Sequence, residues 1–126
     1  MKKRILSIVL CLVMVFSLLP FTASAASAIP INEETFPDPV FREYVLKIVG
    51  SSVLTEEKAQ QIEVLDVSKN NIKKVLGDRD PITSLMGIRY LRYVKDLNCS
   101  GQKLKKTLNL EQNSRVERLN CRFNQL

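Results

Sequence analysis

Histidine and tryptophan are absent from the 126 residues. Without an imidazole there is no Ser-His-Asp or Cys-His nucleophile pair and no histidine-built metal centre. Cysteine is scarce: of three, Cys11 lies in an apolar run, leaving Cys99 and Cys121, and neither has an activating base nearby in sequence. The four glycines form no phosphate-cradling loop. Aromatics make up 6% of the chain, and beyond residue 25 no basic run exceeds two residues, so the aromatic-laced basic stripe of a nucleic-acid groove is missing. Two carboxylates approach each other at Asp78-Arg79-Asp80, but the intervening arginine and the following Pro81 mark a solvated turn. Glu33-Glu34 and Glu56-Glu57 read as charges flanking helices. No catalytic residue, cofactor site or metal site is expected, and no nucleic-acid partner.

One long hydrophobic run is present, and it is N-terminal. Lys2-Lys3-Arg4, the apolar stretch Ile5 to Leu19 and the small-residue site Ala23-Ser24-Ala25 are the three parts of a secretory signal peptide, with cleavage expected after Ala25. The run falls short of the roughly 20 residues that span a bilayer. After cleavage no stable membrane span is expected, and the protein is placed outside the cell, secreted or held at the surface. Removing Lys2, Lys3 and Arg4 from the 19 basic residues leaves 16 against 13 acidic ones, a net charge of about +3.

The remainder is organised by a repeat. Leu97-Asn98-Cys99-Ser100-Gly101-Gln102-Lys103-Leu104 returns 22 residues later as Leu119-Asn120-Cys121-Arg122-Phe123-Asn124-Gln125-Leu126, and an earlier copy starts at Leu65-Asp66-Val67-Ser68. Ile62-Leu65-Val67-Asn70-Ile72, Val94-Leu97-Cys99-Gln102-Leu104 and Val116-Leu119-Cys121-Asn124-Leu126 share one template. That spacing is the leucine-rich-repeat signature. It predicts an α/β fold, a short leucine-rich-repeat solenoid whose parallel strands line a concave face, over residues 62–126. Alternation along each strand points Leu65 and Val67, Leu97 and Cys99, and Leu119 and Cys121 inward. Asp66, Ser68, Asp96, Asn98, Ser100, Arg118, Asn120 and Arg122 then line the concave face, with Val64, as the candidate binding surface, acidic at one end and basic at the other. Asn70, Gln102 and Asn124 are expected to form an inward ladder bonded to loop backbone, with Gln102 the looser rung on its longer stem. Cys99 and Cys121 occupy equivalent positions about 5 Å apart, within reach of a disulfide. Their side chains would run parallel, so two buried thiols are favoured over a bridge. The first and second copies are 32 residues apart, and the surplus is placed at 73–81 as an inserted loop.

Ahead of the repeats, residues 26–35 read as a flexible leader and 36–61 as a helical N-terminal cap. Asp38 is the N-cap of a first helix with Pro39 at its first position, and Gly50 ends it. Phe41, Tyr44, Val45 and Ile48 make one apolar stripe, expected against Leu65 and Val67. Thr55 caps a second helix to about Gln61. Such a cap covers hydrophobic surface that the first repeat would otherwise expose. Leu85, Ile88, Leu91 and Val94 read as the buried side of a short helical return.

The run Phe36-Pro37-Asp38-Pro39-Val40-Phe41-Arg42-Glu43-Tyr44-Val45, followed by the Leu-x-Cys repeats, resembles the secreted or cell-surface leucine-rich-repeat proteins of clostridial-type Firmicutes, broadly internalin-like, over residues 31–126. The resemblance implies a non-catalytic module for adhesion or recognition of a protein or glycan. Three departures stand out. Val49 to Val53 lacks the carboxylates of the calcium-loop-like segment of relatives, so no calcium site is expected there. The third repeat stops at Leu126 without a return segment, which predicts an exposed apolar end and self-association through it. No wall-sorting signal follows. The alternative is that this chain is the beginning of a longer multi-domain surface protein, with a catalytic domain downstream.

Overall fold

The computed structural model describes residues 28–105 and 108–126. The expected signal peptide lies outside the described residues, as does the start of the leader. Strand β1 (Ile29–Pro30) opens the fold, followed by helix α1 (Pro39–Val49), β2 (Val53–Leu54), α2 (Glu56–Gln61), β3 (Val64–Asp66) and α3 (Lys69–Leu76). A 3-10 turn at Ile88–Tyr90 precedes β4 (Asp96–Asn98) and β5 (Arg118–Asn120).

Helix α1 starts where the sequence puts it. Asp38 Oδ1 accepts the Val40 and Phe41 N–H groups, each at 3.0 Å, and Pro39 follows at the first position. Its other oxygen, Oδ2, accepts the Thr83 N–H at 3.0 Å, so one carboxylate ties the helix start to the segment that returns from the first repeat. The apolar stripe is rotated from the expected one. Val40, Phe41, Tyr44, Val45 and Val49 are buried, whereas Ile48 is 37% exposed. The helix leans its last turn on the core through Val49, and Ile48 points aside. Thr55 caps α2, accepting the Lys58 N–H at 3.3 Å.

The leader is more ordered than its composition suggested. β1 pairs antiparallel with β2, Ile29 opposite Leu54, and the Ile31 N–H donates to the Ser52 carbonyl at 2.8 Å. Ile31 is buried, so one apolar side chain in a polar stretch anchors it. Phe36 is fully buried, with its ring edge-on to Phe41 at 5.6 Å and tilted against Tyr90 at 6.0 Å. Gly87 makes this packing possible: at φ 102° a Cβ would stand 2.4 Å from the Thr35 carbonyl and 2.5 Å from the Phe36 ring. No other residue fits there.

β3, β4 and β5 form a parallel, in-register sheet in chain order, with Leu65, Leu97 and Leu119 in one row. Leu65, Val67, Leu97 and Cys99 are buried, while Leu119 is 47% exposed and Cys121 half-buried. Leu85, Ile88, Leu91 and Val94 are all buried and complete the core on the far side of the chain's return. In the next return Asn113 is 98% buried, and its Nδ2 donates to the Ile88 and Leu91 carbonyls at 2.9 and 3.1 Å.

The surplus between the first two repeats is a helix, and it begins earlier than the sequence suggested. The Lys69 N–H meets the Ser100 carbonyl as Gly101 N–H meets that of Arg122, so Lys69 stands 32 positions before Gly101. By Ile82 the offset is 22, because Lys103 N–H meets the Ile82 carbonyl as Gln125 N–H meets that of Leu104. The ten extra residues are therefore 70–79, most of α3, rather than 73–81. Ile72 is buried in this helix and is not the last apolar position of the repeat; Ile82 holds that place. α3 packs on α1: Lys47 Nζ donates to the Val75 carbonyl at 3.2 Å, and Arg79 makes two bonds to Glu43 at 2.9 and 3.0 Å.

Candidate functional site

The three strands present two rows of side chains on the outer face of the sheet. One row is Val64, Asp96 and Arg118; the other is Asp66, Asn98 and Asn120. Pairing in register forces these positions side by side, because a one-residue slip would turn the buried leucines out.

The row of Asp66, Asn98 and Asn120 does the same local work in each repeat. Asp66 Oδ1 accepts the Ser68 N–H at 3.0 Å, Asn98 Oδ1 the Ser100 N–H at 3.1 Å, and Asn120 Oδ1 the Arg122 N–H at 3.2 Å. Each short side chain thereby closes the turn that follows its strand. Ser100 adds a bond from its hydroxyl to Asn98 Oδ1 at 2.8 Å. Ser68 does not join the face. It is 8% exposed and caps α3, its hydroxyl accepting the Asn71 N–H.

The other row carries the charge. Arg118 grips Asp96 with two guanidinium bonds, Nη2 to Oδ2 at 2.7 Å and Nε to Oδ1. The bonded guanidinium holds the Asp96 carboxyl below the ordinary carboxylate range and raises the arginine further. Both lie at the surface, where such a pair adds little stability. It neutralises the middle of the face instead, leaving Arg122 as a cation at one end and Asp66 as an acid at the other. Val64, 65% exposed, supplies an apolar contact beside them.

The ladder is present with one member changed. Gln102 is buried, donating to the Val67 carbonyl at 2.7 Å and accepting the Ile82 N–H at 2.9 Å. Asn124 repeats the pattern one repeat on, donating to the Cys99 carbonyl at 2.8 Å and accepting the Leu104 N–H at 3.0 Å. The longer stem of Gln102 thus makes bonds as short as those of Asn124, and the middle rung is not looser. Asn70 takes no part: it is exposed on α3. Its neighbour Asn71 donates to the Asp66 carbonyl at 2.6 Å and to the Tyr44 hydroxyl at 3.3 Å. Insertion of α3 displaces the repeat's ladder position, and Asn71 bonds the turn from the helix. Both cysteines are free thiols, and burial together with the neighbouring Cys121 pushes Cys99 up to about 11.

The groove over the strands, lined by Val64 to Asp66, Asp96 to Asn98 and Arg118 to Asn120, encloses about 240 Å³. That is below the roughly 300–1,000 Å³ of small-molecule pockets, so the face suits a surface contact. A larger cavity of about 830 Å³ lies between residues 83–90 and residues 104, 105 and 108–112. Of its hydroxyls, Thr35 donates to the Pro30 carbonyl and Thr83 to Asp38 Oδ2, while Ser84 accepts the Met86 N–H and Tyr90 accepts from the Arg89 guanidinium. Glu34, Arg89, Lys105 and Glu111 also line it. Among the described residues no three potential metal ligands gather, and no helix is long and apolar enough to cross a membrane.

No protein-family model matches the sequence, and no curated protein matches it. Solved structures do. The crystal structure of an internalin C2 (inlC2) from Listeria monocytogenes superposes with a TM-score of 0.61 at 20% identity, covering 79% of this chain and 41% of that one. An internalin (inlF) from the same organism gives 0.62 at 23% identity, over 79% and 27%. The chain spans less than half the length of either. The likeness is one of fold, and it agrees with the parallel in-register sheet: the architecture is an internalin-like leucine-rich-repeat fold of mixed α and β content.

Proposed function

We propose that this chain is a short leucine-rich-repeat solenoid, exported through its N-terminal segment, and that the outer face of its sheet recognises another protein without catalysing a reaction. Helices α1 and α2 act as its N-terminal cap, and the sheet face is concave. The observation that carries the reading is the pair of rows on the outer face, Val64-Asp96-Arg118 and Asp66-Asn98-Asn120, held in register while every adjoining turn is closed by its own side chains. A rigid polar face with one apolar contact and a neutralised centre suits complementary docking. Clostridial-type origin and a place at the cell surface belong to the same proposal, as does a glycan as the competing ligand.

The face is narrow. Three strands spaced about 4.8 Å apart offer much less than the roughly 800 Å² per partner of a standard interface, so the affinity expected of this chain is micromolar or weaker. The test is binding of the full chain to a panel of immobilised extracellular proteins, alongside the Val64→Glu and Arg118→Ala variants. A hit lost in both variants supports the reading. No hit in the panel, or hits retained by both variants, overturns it.

A further inference from the structure

A second cleft, of about 370 Å³, opens where the N-terminal cap meets the first return, on a side of the molecule to which the sheet rows contribute no residue. Its volume falls at the low end of the roughly 300–1,000 Å³ of small-molecule pockets. Its apolar lining comes from three separate elements. Leu54 of β2 and Ala59 of α2 are buried beneath it, and Ile29 of β1 and Tyr90 of the 3-10 turn are half-buried beside them. The Tyr90 ring is itself anchored, tilted against the fully buried Phe36 at 6.0 Å. On that fixed ring lies Arg89. Its guanidinium carbon stands 4.8 Å from the ring centroid and Nη2 donates to the Tyr90 hydroxyl at 2.7 Å. One of the five guanidinium N–H donors is thereby spent and four remain. Stacking and bonding together orient the fork before any ligand arrives, which lowers the entropy lost on binding.

The charges of the lining do not cancel. Arg92 pairs with Glu56 at 2.8 Å, and the other Glu56 oxygen accepts from the Tyr93 hydroxyl, so that carboxylate is engaged within the fold. No carboxylate pairs with Arg89 among the described residues; Glu34 and Glu111 line the larger cavity beyond the wall that Arg89, Tyr90 and Gln112 share with it. Two arginines against one glutamate leave the cleft a single positive charge. The neutral polar groups are mixed. Thr55 accepts the Lys58 N–H as the cap of α2 and keeps its own proton, and Gln112 brings both a donor and an acceptor to the rim. What sets the preference is therefore the unmatched fork of Arg89 beside apolar surface, and a planar carboxylate is the group that such a fork matches. We infer that this cleft binds a small monocarboxylate with an aromatic or branched apolar body, its carboxylate on Arg89 and its body against Leu54, Ala59 and Ile29. The site is separate from the sheet face and does not depend on protein recognition there.

The probe is 3-phenylpropionate, titrated into the isotope-labelled full chain and followed by NMR. Two comparisons separate its parts: 3-phenylpropanamide keeps the ring without the charge, and acetate keeps the charge without the ring. A fragment of this size is expected to bind in the millimolar range. The amide should bind about tenfold more weakly, because it lacks the charge-assisted bonds to the guanidinium, and acetate should show no saturable binding. Chemical-shift changes are expected at Ile29, Leu54 and Arg89, and not at Val64 or Asn98. Arg89→Gln should reduce 3-phenylpropionate to the affinity of the amide with the thermal midpoint unchanged, since the side chain is exposed. Equal binding of acid and amide, no saturable binding of the acid at millimolar concentration, shift changes confined to the sheet face, or an Arg89→Gln variant that binds as its parent does would each overturn the inference.

Discussion

The carboxylate of Asp38 is divided between two tasks, one oxygen holding the first turn of α1 and the other holding Thr83. Removing it orphans a helix start and the part-buried Thr83 N–H together. Asp38→Ala is expected to cost about 2–4 kcal/mol, summing a lost cap with an unsatisfied donor. Asp38→Asn keeps one accepting oxygen and should lie between that variant and the parent. Urea denaturation measures both, and a loss within about 0.5 kcal/mol for alanine, the scale of an ordinary surface change, would contradict the double role. The thiols make a second contrast. Cys99 is buried, with its thiol pushed to about 11, and Cys121 is half-buried. Only thiolate reacts, so iodoacetamide near pH 8 should label Cys121 first and Cys99 only as the protein unfolds, read by peptide mass mapping.

At the level of elements, α3 is the feature that separates this chain from a regular array. It replaces a ladder residue with one from a helix, and neighbouring asparagines then differ in consequence. Asn71→Ala should destabilise by about 1–3 kcal/mol, since a backbone carbonyl and a buried tyrosine hydroxyl lose their donor. Asn70→Ala should stay within about 0.5 kcal/mol. Equal effects in thermal melts would refute the assignment. The sequence pointed to Asn70 because the template counts residues, and counting fails where ten are inserted at an unmarked point. The strand rows were legible for the opposite reason: Leu-x-Cys at a 22-residue spacing fixes side-chain alternation, and with it Asp96, Asn98, Arg118 and Asn120 on one face. The Asp38 cap was readable from Asp-Pro, but its second bond to Thr83 joins positions 45 apart.

Across the whole molecule, the ion pairs and the thiol set opposite edges of a stability profile. Glu43, Glu56 and Asp96 are lowered, by bonds to Arg79, Tyr93 and Arg118 respectively. A depressed carboxyl stabilises the fold above its unfolded value and loses that contribution as pH falls through the folded one. All three lie at the surface, so the decline as pH drops below about 4.5, the ordinary glutamate value, should be small, and Asp96→Asn should make it shallower still. Cys99 acts in the other direction. It titrates near 9.0 when unfolded and about 11 when folded, so its contribution is lost as pH rises across that interval. Cys99→Ala should flatten the alkaline limb, as followed by denaturation at fixed urea between pH 8 and 11; an unchanged slope would show that the thiol is not the group responsible.

The placement of residues 70–79 has a further consequence. They leave the repeat at Lys69 and rejoin it at Ile82, and the backbone bonds to the next repeat are regular on both sides of the excursion. The sheet thus keeps its register across an excursion of ten residues. A loop chosen for another target could be grafted beside it only if Asn71, which bonds the Asp66 carbonyl, and the buried Ile72 were retained.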